Sequence, residues 1–180
     1  TPATGTASWG LKLDLQRGNN NIEVRAMDLA ENISDPVRLS IDYRPVTVSN
    51  DNLVGAQALT GTNGTVALNT DGASREEGEP NHAGNRGGRS VWYSYQNSSA
   101  GILTLTTADS SYDTMLAVYT GSLYSDLKAV GANDDASKTV QTSRLVVSVA
   151  PGVVYKIAVD GFAGDSGSLD RKSTRLNSSH

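Results

Sequence analysis

The chemistry this sequence offers is carried by oxygen. Glu76, Glu77 and Glu79 stand together in one stretch, Asp113 precedes an apolar run, and Asp134 and Asp135 close another. Ca2+ takes about six to eight oxygens from carboxylates, carbonyls and water, on loops able to wrap it. Asp113 is expected at the start of a strand and Asp134-Asp135 after the end of another. An antiparallel sandwich would bring these to one edge, with the glutamate stretch folding over them. Glu76, Glu79, Asp113, Asp134 and Asp135 are therefore the candidate ligands of a Ca2+ site. The same carboxylates also have a plainer use, as solvated charges or as caps that bond turn backbone. His82 would add a nitrogen only to a softer metal, and a solvated loop histidine is the expectation for it.

Other motifs carry less. Gly164-Asp165-Ser166-Gly167 mimics the nucleophile motif of trypsin-like proteases. Such an enzyme needs a partnering histidine and aspartate upstream and a two-barrel body, and the sequence supplies neither arrangement. A hairpin turn is the expected use of this tetrapeptide. Gly84-Asn85-Arg86-Gly87-Gly88-Arg89 suggests phosphate binding, but a phosphate loop opens a helix, and an apolar strand pattern follows here. A flexible surface loop is expected. Trp92, Tyr93, Tyr95, Tyr112, Tyr119, Tyr124 and Tyr155 would suit a sugar-stacking platform or, on alternating strand positions, a sandwich core. Tyr124 is the one expected to be exposed.

The elements that must position these groups are short strands. The chain has 180 residues, 18 of them Gly, with 19% charged residues and seven Tyr against one Phe. That balance suits strands joined by polar turns. The net charge of −4 points to no nucleic-acid partner, and no apolar run is long enough to insert in a membrane. Cys is absent, which fits a bacterial exported protein and a cytosolic one equally. Period-2 alternation predicts strands over 9–15, 21–27 and 37–43, with turn chemistry at 17–20 and a polar break at 28–32. Pro45 opens a linker over 45–49. Further strands are predicted over 65–68, 90–95, 102–107, 114–119, 127–132, 144–149 and 154–160, with one helical turn within 53–59 and a long loop over 69–89.

The first block has a Trp-led strand, a Gly-Asn turn, a strand ending in Asp28-Leu29-Ala30-Glu31-Asn32, and a last strand ending in Tyr43. It resembles the C-terminal strands of bacterial Ig-like repeats, which usually carry Gly where Glu31 stands. The second block carries Asn50-Asp51-Asn52, Glu76-Glu77-Gly78-Glu79-Pro80-Asn81-His82 and Ser90-Val91-Trp92-Tyr93. Further on come Tyr112-Asp113-Thr114-Met115, Ala132-Asn133-Asp134-Asp135 and Tyr155-Lys156-Ile157-Ala158-Val159-Asp160-Gly161. In that order and spacing it resembles the bacterial prepeptidase C-terminal (PPC) domain family. The resemblance implies an antiparallel, jelly-roll-like β-sandwich attached to secreted peptidases and other exported proteins, with no catalysis of its own.

The segment 170–180 breaks the pattern, with three basic residues and no apolar alternation. One codon choice for it resembles the adapter ligated to DNA fragments for short-read sequencing. It is read as translated adapter, expected to pack against nothing and to stand where the family's last strand would begin. The expected organisation is thus all-β: the end of an Ig-like sandwich over 1–44, a linker over 45–49, and a PPC-like sandwich lacking its last strand over 50–169. The expected function is that of a non-catalytic accessory module of a secreted or surface bacterial protein, serving spacing, stabilisation or targeting. Its expected partners are neighbouring domains of the same chain and a polysaccharide or protein substrate. A carbohydrate- or substrate-binding module is the alternative, and part of a hydrolase the third.

Overall fold

A computed structural model describes residues 11–16, 18–43 and 47–177. The chain divides after Pro45 into two compact units. In the first unit β1 (Gly18–Val24) pairs antiparallel with β2 (Val37–Tyr43), from Gly18↔Tyr43 to Val24↔Val37. Strand thus begins at Gly18, inside the predicted turn. Residues 11–16 carry no strand, which corrects the expected first strand; Trp9 lies outside the described residues. The polar break is a turn built on Asp28. Its Oδ1 accepts from the Ala30 and Asn32 amides, both at 2.9 Å, and its Oδ2 from Asn32 Nδ2 at 2.8 Å. Glu31 in that turn has φ 66°, the left-handed region where Gly costs least. Val37, Leu39, Ile41 and Tyr43 remain exposed, as two strands alone cannot bury a face.

Among the described residues the second unit holds nine strands: β3 (Gln57–Leu59), β4 (Asn63–Asn69), β5 (Val91–Gln96), β6 (Gly101–Thr106), β7 (Thr114–Thr120), β8 (Lys128–Asn133), β9 (Arg144–Val149), β10 (Val154–Gly161) and β11 (Ser168–Asn177). They form a five-stranded sheet, β3-β5-β10-β7-β8, and a four-stranded sheet, β4-β11-β6-β9. Neighbours run antiparallel except β3 with β5, which are parallel. Alternation explains which sheet is which. Strand β9 reads exposed-buried throughout, as a strand with one dry face must, whereas β7 is buried at six consecutive positions. A strand buried on both faces loses alternation.

The two cores follow from this. Between the sheets, Tyr93, Tyr95, Leu116, Ile157 and Val159 meet Leu103, Leu105, Val147 and Leu169. Behind the five-stranded sheet, Trp92, Ala117, Tyr119 and Ala158 pack beneath Leu53 of a single 3-10 turn (Leu53–Gly55), with Tyr124 and Leu127 alongside. Residues 47–49 belong to this unit rather than to a linker, since Asp51 N donates to Val48 O and Val48 packs on the core. Among the described residues no helix is long and apolar enough to cross a membrane.

The expectation that 170–180 packs against nothing is corrected by β11, so the sandwich does not lack its last strand. Residues 168–174 pair with β4 and 172–177 with β6; 178–180 lie outside the described residues. Without β11, two facing rows of backbone donors and acceptors would stand open, and an unpaired strand edge accepts pairing from whatever chain can extend beside it. Ladder bonds use the backbone, so the segment enters whatever its side chains are.

Candidate functional site

Asp113 immediately precedes β7, and Asp134 and Asp135 follow β8. These strands are antiparallel neighbours, with Leu116 opposite Asn133, so the start of one lies beside the end of the other. One carboxylate oxygen from each of the three aspartates lies within 4.8 Å of the other two. The loop after β8 is held in place: Asn133 Nδ2 donates to Asp135 O at 3.0 Å, Arg144 N to Asn133 Oδ1 at 2.8 Å, and Ser143 Oγ to Asp134 O at 2.7 Å. Gln141 Nε2 donates to Asp113 Oδ2 at 3.2 Å. Asp113 Oδ1 and Asp134 Oδ1 are shielded from solvent and accept no hydrogen bond among the described residues. Burial, then the charges of Asp134, Asp135 and Asp165, hold the Asp113 carboxyl above its ordinary value. Burial, then Asp135, does the same to Asp134. Crowded carboxylates with open oxygens are a poor arrangement by themselves and a good one around a cation. Beside them a cleft of about 890 Å³ is lined by Asp113, Gln141, Phe162 and Asp165 among others.

Glu76 and Glu79 do not join this group. The long loop before β5 folds onto the back of the five-stranded sheet and buries Glu79 there, with Glu76 half-buried and Glu77 exposed. Glu79 Oε1 lies 2.8 Å from His82 Nε2, and His82 Nδ1 lies 2.8 Å from the Tyr119 hydroxyl. Burial alone would raise Glu79, but hydrogen bonds from His82 and Ser90 and the His82 charge outweigh it, and the carboxyl sits below its ordinary value. Burial, with Glu79 nearby, pushes the Tyr119 phenol up to about 12. Glu76 Oε2 instead accepts from the Tyr124 hydroxyl at 2.7 Å, and burial raises its carboxyl. Tyr124 in turn accepts from Leu53 N at 3.0 Å, so this tyrosine is half-buried and fastened rather than exposed.

A second carboxylate completes the buried group. Asp160, at the end of β10, presents an oxygen within 4.8 Å of ligand atoms of Glu79 and His82. Its Oδ1 accepts from the amides of Gly88 (3.1 Å), Arg89 (2.8 Å) and Gly161 (2.8 Å). The stretch Gly84–Arg89 is therefore no loose surface loop: its amides form a cradle for a carboxylate. His82, expected in solvent, is fully buried. Glu79, His82 and Asp160 have the atoms for a metal, yet each is already satisfied: Glu79 Oε2 also accepts from Glu76 N at 3.1 Å, and Asp160 Oδ2 from Gly88 N at 3.2 Å. The two trios thus differ in kind. The buried one is closed by hydrogen bonds, and the one at the β7–β8 edge has open oxygens.

The remaining motifs are used structurally. Ser166 Oγ donates to Asp71 Oδ1 at 3.0 Å and meets no histidine among the described residues, where His82 is spent on Glu79 and Tyr119. Trp92, Tyr93, Tyr95, Tyr112, Tyr119 and Tyr155 are buried, so they offer no stacking platform. Sequence reasoning missed Asp160 as a site residue. Its signal was a carboxylate closing the apolar run Ile157-Ala158-Val159, which a buried position tolerates only with dedicated donors.

No family model matches the chain, and no curated protein matches it. Among solved structures, the chain is similar to the pre-peptidase C-terminal domain of collagenase from Bacillus anthracis. That likeness covers 67% of this chain and 94% of that one, at a TM-score of 0.42 and 12% identity. This is the family whose motifs the second block resembles.

Proposed function

We propose that the chain is an accessory part of an exported bacterial protein, and that its second unit is a non-catalytic module that spaces, stabilises or targets its neighbours. We further propose that Ca2+ rigidifies it through Asp113, Asp134 and Asp135, with Glu76 and Glu79 no longer in the ligand set. One observation carries the reading: these three carboxylates converge at one sheet edge, and two of their oxygens are shielded yet accept no hydrogen bond among the described residues. Hard oxygen ligands on loops suit Ca2+ better than Mg2+, whose octahedron is stricter. A cation bound only by the folded state raises stability by mass action. The test is thermal melting of the full chain with Ca2+, Mg2+ or chelator. The melting temperature should rise with Ca2+ and respond much less to Mg2+. Asp134→Asn should blunt the rise, whereas Asp14→Asn in the first unit should not. No shift at about millimolar Ca2+, which covers the weak extracellular range, refutes the metal site.

A second reading, a carbohydrate-binding module, is favoured by one feature. Phe162 is 41% exposed and lines the same cleft as Asp113 and Asp165, and an open ring beside carboxylates is a set that sugars use. Phe162→Ala should then abolish retention on a polysaccharide that holds the unaltered chain. If no polysaccharide in a panel retains the unaltered chain, that reading fails.

A further inference from the structure

The cleft of about 890 Å³ is built from three connections at one end of the sandwich, β6 to β7, β8 to β9 and β10 to β11. Its size suits a small ligand or one stretch of a polymer. Its charge is of one sign: Asp113 and Asp165 line it, and no Lys, Arg or His does. The neutral groups of Ser111, Thr139, Gln141 and Thr142 stand around them, and Phe162 supplies an open ring. Ring and carboxylates are fastened to one another. Phe162 N donates to Asp113 O at 3.0 Å, and Asp113 N to Asp165 Oδ2 at 3.4 Å. Ala163, next to the ring, takes φ 52° and donates through its amide to Asn85 Oδ1 at 3.3 Å. A left-handed Ala persists only where its surroundings hold it, so the backbone under the ring is set before any ligand arrives. Burial, then Asp134, Asp135 and Asp165, hold the Asp113 carboxyl above its ordinary value, as crowded negative charge does.

Building on the carbohydrate reading of this cleft, we propose that its ligand is an amino-sugar polymer, with a pyranose face resting on Phe162 and free, protonated amines bonded to Asp113 and Asp165. A neutral sugar would leave both charges without a counter-ion, and an anionic sugar would add a further negative charge beside them. An ammonium brings three donors and a full positive charge. Hydrogen bonds with an ionised partner are about twice as strong as neutral ones, and here both partners are ionised. A cation held over an aromatic face gains further. The hydroxyls and the amide at the rim are left for the sugar hydroxyls, which need neutral partners. Acetylation of the amine removes its charge and leaves the pyranose ring and its other hydroxyls intact, so the acetylated polymer is the comparison that isolates the role of the carboxylates.

Calorimetric titration of the full chain at mildly acidic pH, where the amines are protonated, compares glucosamine, N-acetylglucosamine and glucose oligomers of one length. Chelator is present throughout, which keeps Ca2+ off Asp113 and makes the outcome independent of the metal site. The glucosamine oligomer should bind saturably and about tenfold or more tightly than the other two, the worth of one charge-assisted bond. Asp165→Asn should weaken it about tenfold. Asp14→Asn, which removes the same charge from an exposed position in the first unit, should not. Phe162→Ala leaves the charge unchanged and should weaken binding severalfold. Circular dichroism of each variant should match that of the unaltered chain, which separates lost binding from a lost fold. Equal binding of the three oligomers would overturn the amino-sugar assignment and leave a sugar site. Unchanged binding by Phe162→Ala, or equally tight binding of an oligolysine of the same charge, would reduce the cleft to simple charge attraction and sink the assignment. If no oligomer binds, the assignment and the carbohydrate reading fail together.

Discussion

Gly87 gives the sharpest handle on how the long loop is held. A Cβ built on it would lie 1.7 Å from Asp160 Oδ2 and 2.3 Å from Asp160 Cγ, and its φ is +58°. Gly87→Ala therefore cannot be accommodated with the carboxylate in place. Asp160 is fully buried and accepts from the Gly88, Arg89 and Gly161 amides. A hydrogen bond to a charged group is worth about 1.5–3 kcal/mol net, and displacing the carboxylate breaks at least two. Left-handed backbone at Ala adds about 1 kcal/mol. The expected loss is about 4–7 kcal/mol, most of the stability of an ordinary domain. Thermal or urea melting followed by tryptophan fluorescence reads it, because Trp92 lies in the same rear cluster, 5.4 Å from the His82 ring. A drop in melting temperature of about 10 °C or more is expected. The diagnostic is the double mutant. Asp160→Ala also loses the cradle, but removes the clash, so Gly87→Ala should cost far less in that background than alone. Additive losses, or a single mutant that melts within a couple of degrees of the unaltered chain, would refute the cradle as the loop's anchor.

Glu79→Gln should destabilise by about 1.5–3 kcal/mol near neutral pH, the usual worth of a hydrogen bond to a charged group. Glu79 has a depressed folded value, so its contribution is present above the unfolded carboxylate value and fades as pH falls through the folded one; the mutant and unaltered chains should converge there in pH-dependent urea melts. Asp113 and Asp134 are shifted the other way. Without Ca2+ the folded state holds their protons more tightly than the unfolded chain, so mild acidification should relieve repulsion and stabilise. Saturating Ca2+ should abolish that gain, and a melting temperature with no such acid-side rise in chelator would count against the convergence. Tyr124→Phe removes both the bond to Glu76 and the bond from the Leu53 amide, and should cost about 1–3 kcal/mol in the same melts.

Much of this fold was legible because alternation reports burial directly. The predicted strands over 65–68, 90–95, 102–107, 114–119, 127–132, 144–149 and 154–160 all lie within or one residue beyond β4 to β10. Glu31, read as a departure from the Gly of the repeats that the first block resembles, takes positive φ. The convergence of Asp113 with Asp134 and Asp135 could be anticipated because antiparallel pairing fixes which strand ends meet. The glutamates could not be placed that way. A loop of about twenty residues can reach either edge of a sandwich, and its path is set by a partner, Asp160, that reads as an ordinary strand end. The first unit was less readable, since a two-stranded piece leaves its alternating row exposed and the pattern does not say what covers it.

Two of the misread features, His82 and β11, failed for opposite reasons. His82 lies in a stretch rich in Gly, Asn and Glu, which looks solvated. It is buried because those polar groups satisfy one another, through Glu79 on one ring nitrogen and Tyr119 on the other. Polarity in a sequence therefore argues for exposure only where no complementary set is within reach. In β11 the side-chain pattern rightly says that the segment does not suit a core, and the strand forms nonetheless, because the open edges of β4 and β6 act on the backbone. A sheet decides where a strand goes by its unpaired amides and carbonyls, and only afterwards do side chains decide how well it stays. Position 171 separates these two steps. Its backbone sits in register with Val66, while its guanidinium has been carried into the core, 4.7 Å from the centre of the Tyr93 ring.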